Sequence, residues 1–538
     1  MRKFSLVSII TLCLCLSGFG QNESDALRYS TNSIVGTARS LGLGGAYSAV
    51  GADLSSATLN PAGLALYRRS DFSISPMLRL TSNDADYLDG GGSANQTYFG
   101  LSNLGVAFTG KVYRGYGQNR QEVETGLKSY TFAFGYNQLE NYNRLTRATG
   151  FNTLSSISQT YADRTNGLFT EELDFNGEET YAYNTLVIDT LVGGGGNQYI
   201  ASVDPELNGG IQQSILQSES GRKNEWFISG AANISDNLYI GLTIGIQSVN
   251  YTQSFSFTEE DINDTHELLI PDPDDPVNSS LVIDTESIRF REDFTTTGNG
   301  VNARLGLIFR PSDAFRFGLS FQSPTYLDLT DEFSSGITHR INGTNGIITF
   351  QDSTITGNQG ENTLFSDYTL TTPYVVTLGG MYLFGKRGFI SADVELTDYS
   401  SASLGSTADL NTDFRQENEA IGELLDFAIN YRLGAEVRVD VLRIRAGGSI
   451  FSTAFTDAAE EYLSYPDLQL NSLNADRRML TFGLGVRQPN YYVDVSWVNQ
   501  YQKNKFSPYS SGNNSIFQPT VLNTTTSNSV VLTMGFGF

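Results

Sequence analysis

The chain has 538 residues, with 34 basic side chains, 58 acidic ones and two histidines. An acidic balance this large argues against a nucleic-acid partner, because a phosphate backbone is held by lysine and arginine. Glycine (54), tyrosine (28) and phenylalanine (33) are plentiful and proline is scarce (13), a strand-rich composition.

The chain opens on a targeting pattern. Arg2 and Lys3 precede an uncharged apolar run, Phe4 to Leu16, and Gly18-Phe19-Gly20 sets small residues at the −3 and −1 positions before Gln21. Residues 1–20 are therefore predicted to be a secretory signal peptide. Cys13 and Cys15 both lie inside it, so the mature chain is expected to hold no disulfide and no cysteine-ligated metal. Leu12 and Leu14 precede those cysteines, where a lipoprotein would need small residues. Without Arg2 and Lys3, 32 basic residues face 58 acidic ones, a net of −26. No later stretch is long and apolar enough for a membrane helix, so a membrane reading must be a barrel reading.

Residues 21–67 do not read as strand. Arg39 to Val50 is rich in glycine and small residues, and Asp53 is placed to cap a short helix running through Thr58. Asn60-Pro61 forces a turn, because proline excludes the helical conformation for the residue before it. Gly63 permits a close turn. A unit this short cannot bury a core of its own and is expected to pack inside something larger. Gly42, Gly44 and Gly45 lack the spacing and strand-to-helix context of a dinucleotide loop, and no cofactor is predicted.

From residue 68 the signal is period two. Leu238, Ile240, Leu242, Ile244 and Ile246 share one face, opposite Tyr239, Gly241, Thr243, Gly245 and Gln247. Phe315 to Gln322 and Ile390 to Thr397 alternate in the same way, the mark of a half-buried strand. Strands are predicted near 71–80, 98–109, 129–143, 224–234, 238–253, 286–310, 315–331, 366–384, 389–401, 426–439, 441–453, 477–488, 490–505 and 527–538. Starting from the first strand, the connections run long, then short. The short ones are 235–237, 311–314, 385–388, Asp440 and Pro489; the long ones include 144–223 and 254–285, the two longest. A barrel with tight periplasmic turns and long outer loops makes that pattern, and a sandwich does not. The exception is 110–128, where a short turn is due. The last strand ends Val530, Leu532, Met534, Phe536 and Phe538 on one face, a terminal-phenylalanine strand of the kind the outer-membrane assembly machinery reads. The expected fold is all-β: a 14-stranded antiparallel transmembrane barrel over 68–538, with 21–67 plugging its lumen.

Arg39 to Val50 followed by Asn60-Pro61-Ala62-Gly63-Leu64 resembles the N-terminal hatch of the FadL/TodX outer-membrane transport family. Gly300 to Leu329 and Thr372 to Gly379 with Ser391 to Val394 resemble central hairpins of the same family. The resemblance implies passage of long-chain fatty acids or other hydrophobic small molecules, with Gly42, Gly44, Gly45, Asn60, Pro61, Ala62 and Gly63 as hatch and gating residues. It also implies a Gram-negative outer membrane, contact with its lipid and lipopolysaccharide, and a monomer. The strand near 129–143 shows no kinking residue where that family opens sideways.

If the apolar faces meet lipid, the opposite faces line the lumen. Arg304, Arg432, Arg443, Arg445, Asp393 and Glu395 are the candidate ligand or plug contacts. An arginine fork suits a carboxylate, but an ion-pair lattice filling a plugged barrel uses the same residues. In the outer loops, Leu168, Phe169, Leu173 and Phe175 offer apolar surface, and Pro271 to Pro276 reads as a solvated acidic loop without calcium-loop spacing. His266 and His339 are expected at the surface, and no enzyme is predicted. The alternative function is a barrel scaffold or shuttle that binds secretion partners, as in type IX systems, without moving small molecules.

Overall fold

The computed structural model describes residues 23–115, 120–174, 177–191, 195–271, 280–343, 346–354, 364–407, 413–456, 477–510 and 516–538. The signal peptide, Phe175 and residues 272–276 lie outside the described residues.

Fourteen antiparallel strands close into a barrel. They are β1 Asp71–Tyr87, β2 Gly90–Lys111, β3 Leu127–Asn141 continued by Arg144–Asn152, β4 Ile211–Ile234, β5 Leu238–Glu260, β6 Ser280–Phe309, β7 Phe315–Gln322 continued by Tyr326–Gly343, β8 Leu364–Thr371 continued by Val375–Leu383, β9 Gly388–Asp398 continued by Ser403–Ser406, β10 Phe427–Val439, β11 Leu442–Phe451, β12 Arg477–Arg487, β13 Tyr491–Phe506 and β14 Val521–Gly537. β14 pairs back onto β1, from Asp71↔Gly537 to Tyr87↔Val521, so the sheet has no free edge. Every predicted strand is present.

The predicted phase holds. On β5, Ile240, Leu242, Ile244 and Ile246 are exposed while Tyr239, Thr243 and Gln247 are buried. On β14, Val530, Met534 and Phe536 are exposed while Val531 and Thr533 are buried. Exposed apolar side chains therefore form an outward band, the face that lipid covers.

The strands run past that band. On β5 the outward positions turn polar after Ile246, yet the strand continues to Glu260. β6 has 30 residues, when about 9–11 tilted residues cross a bilayer. The long loops at 144–223 and 254–285 are thus partly ladder. The first connection, expected to be long, is a two-residue turn: β1 and β2 pair through Tyr87↔Gly90 around Leu88 and Asp89. Residues 110–128 hold a small hairpin, Tyr113–Arg114 against Gln121–Glu122.

Four strands break, β9 at a 3₁₀ turn, Tyr399–Ser401. β7 and β8 break side by side at Pro324 and Pro373, which lack the ladder N–H; Thr325 and Thr372 bridge the break, N–H of Thr372 to O of Thr325 at 3.0 Å. β3 breaks without a proline. Its register against β4 shifts between Gln138 and Glu140, and its ladder to β2 stops at Asn103↔Asn137, resuming only at Gly91↔Thr149. The sequence carries no kinking residue there, and the bulge is made by Leu139, fully buried and turned to the lumen.

Between β3 and β4, the described residues of 153–210 fold as a unit above the band. It contains α4 Ile157–Thr165, α5 Glu178–Asn184, α6 Pro205–Asn208 and a small hairpin of Ile188–Thr190 with Tyr199–Ala201. Glu259 of β5 holds its first helix: its carboxylate accepts from Ser156 Oγ (2.5 Å), the Ile157 N–H (3.0 Å) and Gln213 Nε2 (2.7 Å).

Candidate functional site

Residues 23–67 pack against the inward faces of the strands. Their elements are α1 Glu23–Ser30, α2 Ala38–Leu41, α3 Ser56–Leu59 and a 3₁₀ turn, Pro61–Leu66. Small residues on both sides allow the approach. Gly44 has φ +63°, and a Cβ there would lie 2.6 Å from Gly448 N of β11. A Cβ on Gly241 of β5 would lie 2.3 Å from the Pro61 carbonyl carbon. Asn60 closes the turn as expected: its Oδ1 accepts from Ala62 N (3.1 Å), and its Nδ2 donates to Ser48 O (2.7 Å) and Leu307 O (3.2 Å). Asp53 does not cap α3. Ser55 sits at that position, while Asp53 accepts from Ser55 N and Thr37 Oγ1 and so ties α2 to α3.

The candidate lumen residues divide by what they touch. Asp393 holds the N-terminal segment directly: its Oδ2 accepts from Tyr47 N (2.8 Å) and Ser48 N (2.9 Å), and its Oδ1 from Ser48 Oγ (2.6 Å). Arg445, wholly buried, bonds Glu436 (2.9 Å) and Asp494 (2.5 Å), and Glu436 lies 3.6 Å from Arg39 of the segment. Arg304 forms a two-point pair with Glu225 (2.7 and 2.8 Å) and a bond to Gln322. Arg432 pairs with Glu395 at 2.5 Å. Arg443 takes no part; it donates to the Asp440 and Leu442 carbonyls at its own turn.

Against the segment, walled by its residues 24–35, Thr58 and Leu59, lies a cavity of about 310 Å³. Arg28, Arg79, Arg144, Arg304, Arg432 and Arg477 line it, against Glu140, Glu219 and Glu395. Four of these arginines are paired: Arg28 with Asp25, Arg144 with Glu219, and Arg304 and Arg432 as above. Arg79 and Arg477, which the strand pattern did not single out, face the cavity beside Gln500, Ser527 and Ser33. Arg79 donates through Nε to Ser529 Oγ (3.1 Å), its one hydrogen bond among the described residues. Arg477 donates to Ser33 Oγ (2.9 Å) and lies over the Phe451 ring. Glu140 accepts from the Ser33 hydroxyl with both oxygens. Six arginines and three glutamates thus line the cavity.

Both histidines are buried, against the expectation of surface residues. His339 Nδ1 lies 2.9 Å from Thr185 O and must donate, since a carbonyl only accepts; Nε2 then accepts from Thr285 Oγ1 (3.1 Å). His266 donates Nε2–H to Gly210 O (3.0 Å). His339 of β7 thus bonds Thr185 and His266, in the connection after β5, bonds Gly210, and neither ring meets a serine and a carboxylate among the described residues.

Burial lowers the His339 pKa to about 4 and raises that of Glu259 to about 7. The signs oppose. His339 stabilises docking of the outer unit above its free value of about 6.5, and that contribution is lost as pH falls toward 4. Glu259 stabilises docking below its free value near 4.5, and that contribution is lost as pH rises toward 7. Wild-type docking should be nearly level between them. Glu259→Gln should leave the histidine slope alone, with amide protection of α4 falling on acidification below about 6.5, and His339→Gln should reverse the slope. Flat profiles in both variants would contradict this account.

No family model matches the chain, and no curated protein matches it. Solved structures do. A Pseudomonas aeruginosa FadL homologue is 13% identical over 94% of this chain and 98% of its own, with a TM-score of 0.50. The Pseudomonas putida toluene transporter TodX is 12% identical over 94% and 98%, at 0.47; the Ralstonia pickettii toluene transporter TbuX is 16% identical over 93% and 97%, at 0.45. The chain is a closed 14-stranded barrel with the fold of that FadL homologue.

Proposed function

We propose that the protein passes hydrophobic small molecules that carry an acid group, long-chain fatty acids among them, across a Gram-negative outer membrane. Residues 23–67 act as the hatch, with Gly42, Gly44, Gly45 and Asn60 to Gly63 seating it. The protein works as a monomer among outer-membrane lipid and lipopolysaccharide, inserted by the assembly machinery through its last strand. The observation that carries the reading is the cavity between the hatch and the barrel wall, where Arg79 stands outside the carboxylate pairs that hold Arg28, Arg144, Arg304 and Arg432. A carboxylate head placed there gains charge-assisted hydrogen bonds, while Leu27, Ile34, Leu139 and Phe455 supply apolar surface for a chain. The β2–β3 gap, crossed by Ser33 N–H to Leu139 O (3.0 Å) and Ser102 Oγ to Gly36 O (2.7 Å), offers a sideways exit once those bonds release.

Arg79→Ala should weaken binding of a long-chain fatty acid to the detergent-purified barrel by at least about tenfold, equivalent to about 1.4 kcal/mol, and leave binding of its methyl ester unchanged. Equal losses for acid and ester, or no loss for either, would remove the head-group assignment. A deletion strain that takes up fatty acid at the wild-type rate would remove the transport reading for that cargo.

A further inference from the structure

The chain carries far more acid than base, yet its short-turn end is basic. Arg310 just past β6, Arg316 on β7, Arg438 on β10, Arg443 on β11 and Arg487 on β12 all stand beside short turns. A barrel of this kind keeps those turns in the periplasm. The five share the inward phase: two residues along from them, Ile308, Gly318, Glu436, Arg445 and Gly485 are buried. Their outward neighbours Phe309, Phe317, Val437, Leu442 and Val486 are exposed and apolar. The guanidinium groups therefore turn to the periplasmic mouth of the lumen, not to lipid.

Few carboxylates meet them. β6 to β12 are consecutive neighbours in the sheet, and Arg438 lies directly opposite Arg443 in the ladder. Like charges in that position are destabilising. Arg316 is within reach of the charges on Arg310, Arg39 and Arg438, and Arg443 of those on Arg438, Arg487 and Arg445. Arg310 pairs with the exposed Asp313, and Arg438 with Glu436, which also serves Arg445 and Arg39. Arg316 donates to Val50 O of the N-terminal segment (3.1 Å), and its Nε is buried with no hydrogen-bond partner among the described residues. Lys386 and Arg387, exposed on the turn between β8 and β9, fill the middle of the arc and take part in no ion pair among the described residues. Repulsion of this kind costs stability in a chain with acid to spare, and such conflicts are kept where a surface binds something.

The placement chooses the occupant. Lipid headgroups lie outside the wall, on the other phase of the strands. A single carboxylate or phosphate engages about two guanidinium forks, whereas this arc runs from β6 to β12. An extended segment with several carboxylates matches both the inward phase and the length.

We propose that the periplasmic mouth docks an acidic segment of a periplasmic protein, held by arginine–carboxylate bonds along the β6–β12 arc. This rests on the outer-membrane reading for which end faces the periplasm, and not on the cargo. The test uses the full barrel in nanodiscs of neutral phosphatidylcholine and a fluorescent oligoglutamate peptide. A chain of net −26 should repel that peptide; the arc should bind it at low salt, more weakly as salt rises. Lys386→Gln, Arg387→Gln and Arg443→Gln together should weaken binding at least about tenfold. Lys386→Gln with Arg387→Gln, which touches no strand, should weaken it in the same direction if the triple variant fails to assemble. Arg289→Gln with Arg291→Gln, exposed on β6 beyond the other end of the band, should leave it unchanged. No binding at low salt, or equal losses at the two ends, overturns the proposal. So does displacement of the peptide by inorganic phosphate, which marks a small-anion site, or by phosphatidylglycerol in the disc, which marks a lipid belt. A barrel that binds the peptide but no fatty acid counts against the cargo reading alone.

Discussion

Arg445→Met should be among the most damaging single changes in the barrel, costing about 3 kcal/mol or more. Arg445 is wholly buried and is the bond common to Glu436 and Asp494. Removing it leaves two buried carboxylates facing each other with weaker help. Arg438 still reaches Glu436 at 2.8 Å, but Arg487 lies 3.6 Å from Asp494 and Arg39 lies 3.6 Å from Glu436. Breaking a buried pair is costly because the remaining charge has lost the group that compensated its desolvation, whatever the intact pair contributed. The measurement is guanidinium unfolding of the refolded barrel in lipid vesicles. Arg445→Met combined with Glu436→Gln and Asp494→Asn should recover much of the loss, because the uncompensated charges are gone. A single variant within about 0.5 kcal/mol of wild type would mean that water or the neighbouring arginines already satisfy these groups.

The barrel was readable because lipid imposes a rule on one face of every strand. Leu238 to Ile246 must alternate where β5 crosses the apolar band, and they do. Where the same strand rises above the band, the sense of the alternation reverses: Val249, Tyr251, Phe255 and Phe257 are buried inward, while Ser248, Asn250, Thr252, Ser254, Ser256 and Thr258 take the outward positions, so no apolar outward face marks the strand. The turn at Leu88 and Asp89 escaped for the same reason: Asp84 and Asp86 sit on the exposed side of β1, and nothing apolar marks that stretch as strand. The β3 break escaped because Leu139 carries no backbone signal of its own; the bulge follows from pairing with β4 on one side and bonding to Ser33 on the other.

The lumen was only partly legible. Arginines on inward faces could be picked from their phase, but their partners come from strands far apart in sequence, such as Glu225 for Arg304. Asp393 and Arg443 looked alike as inward or turn-side charges, yet one grips the N-terminal segment and the other bonds its own turn. Arg79 stands out only once the pairs around it are known. The histidines misled because His266 stands in an acidic loop and His339 near the end of a strand, positions that read as surface, whereas Gly210 and Thr185 of the outer unit close over them.

Asp393→Ala should separate the N-terminal segment from the barrel wall while leaving the wall closed. Asp393 is nearly all buried and accepts from two backbone N–H groups and one hydroxyl of Tyr47 and Ser48. Alanine would strand those three donors, at about 1–3 kcal/mol each before relaxation, so a local loss of about 3–5 kcal/mol is expected. Asparagine should recover much of it: its amide oxygen can accept from the backbone pair while its NH₂ donates to the Ser48 hydroxyl, whose own proton turns elsewhere. The loss should appear in the segment, because β9 keeps both ladders, to β8 and to β10. The wall would also keep Ser391 Oγ bonded to Ala46 O at 2.7 Å as a remaining hold. In proteoliposomes, Asp393→Ala should admit small hydrophilic solutes faster than wild type, and its N-terminal segment should be cut sooner by an external protease, with the unfolding midpoint of the barrel little changed. A lowered midpoint with unchanged solute flux would place Asp393 in the stability of the wall and take from the segment its role as the hatch.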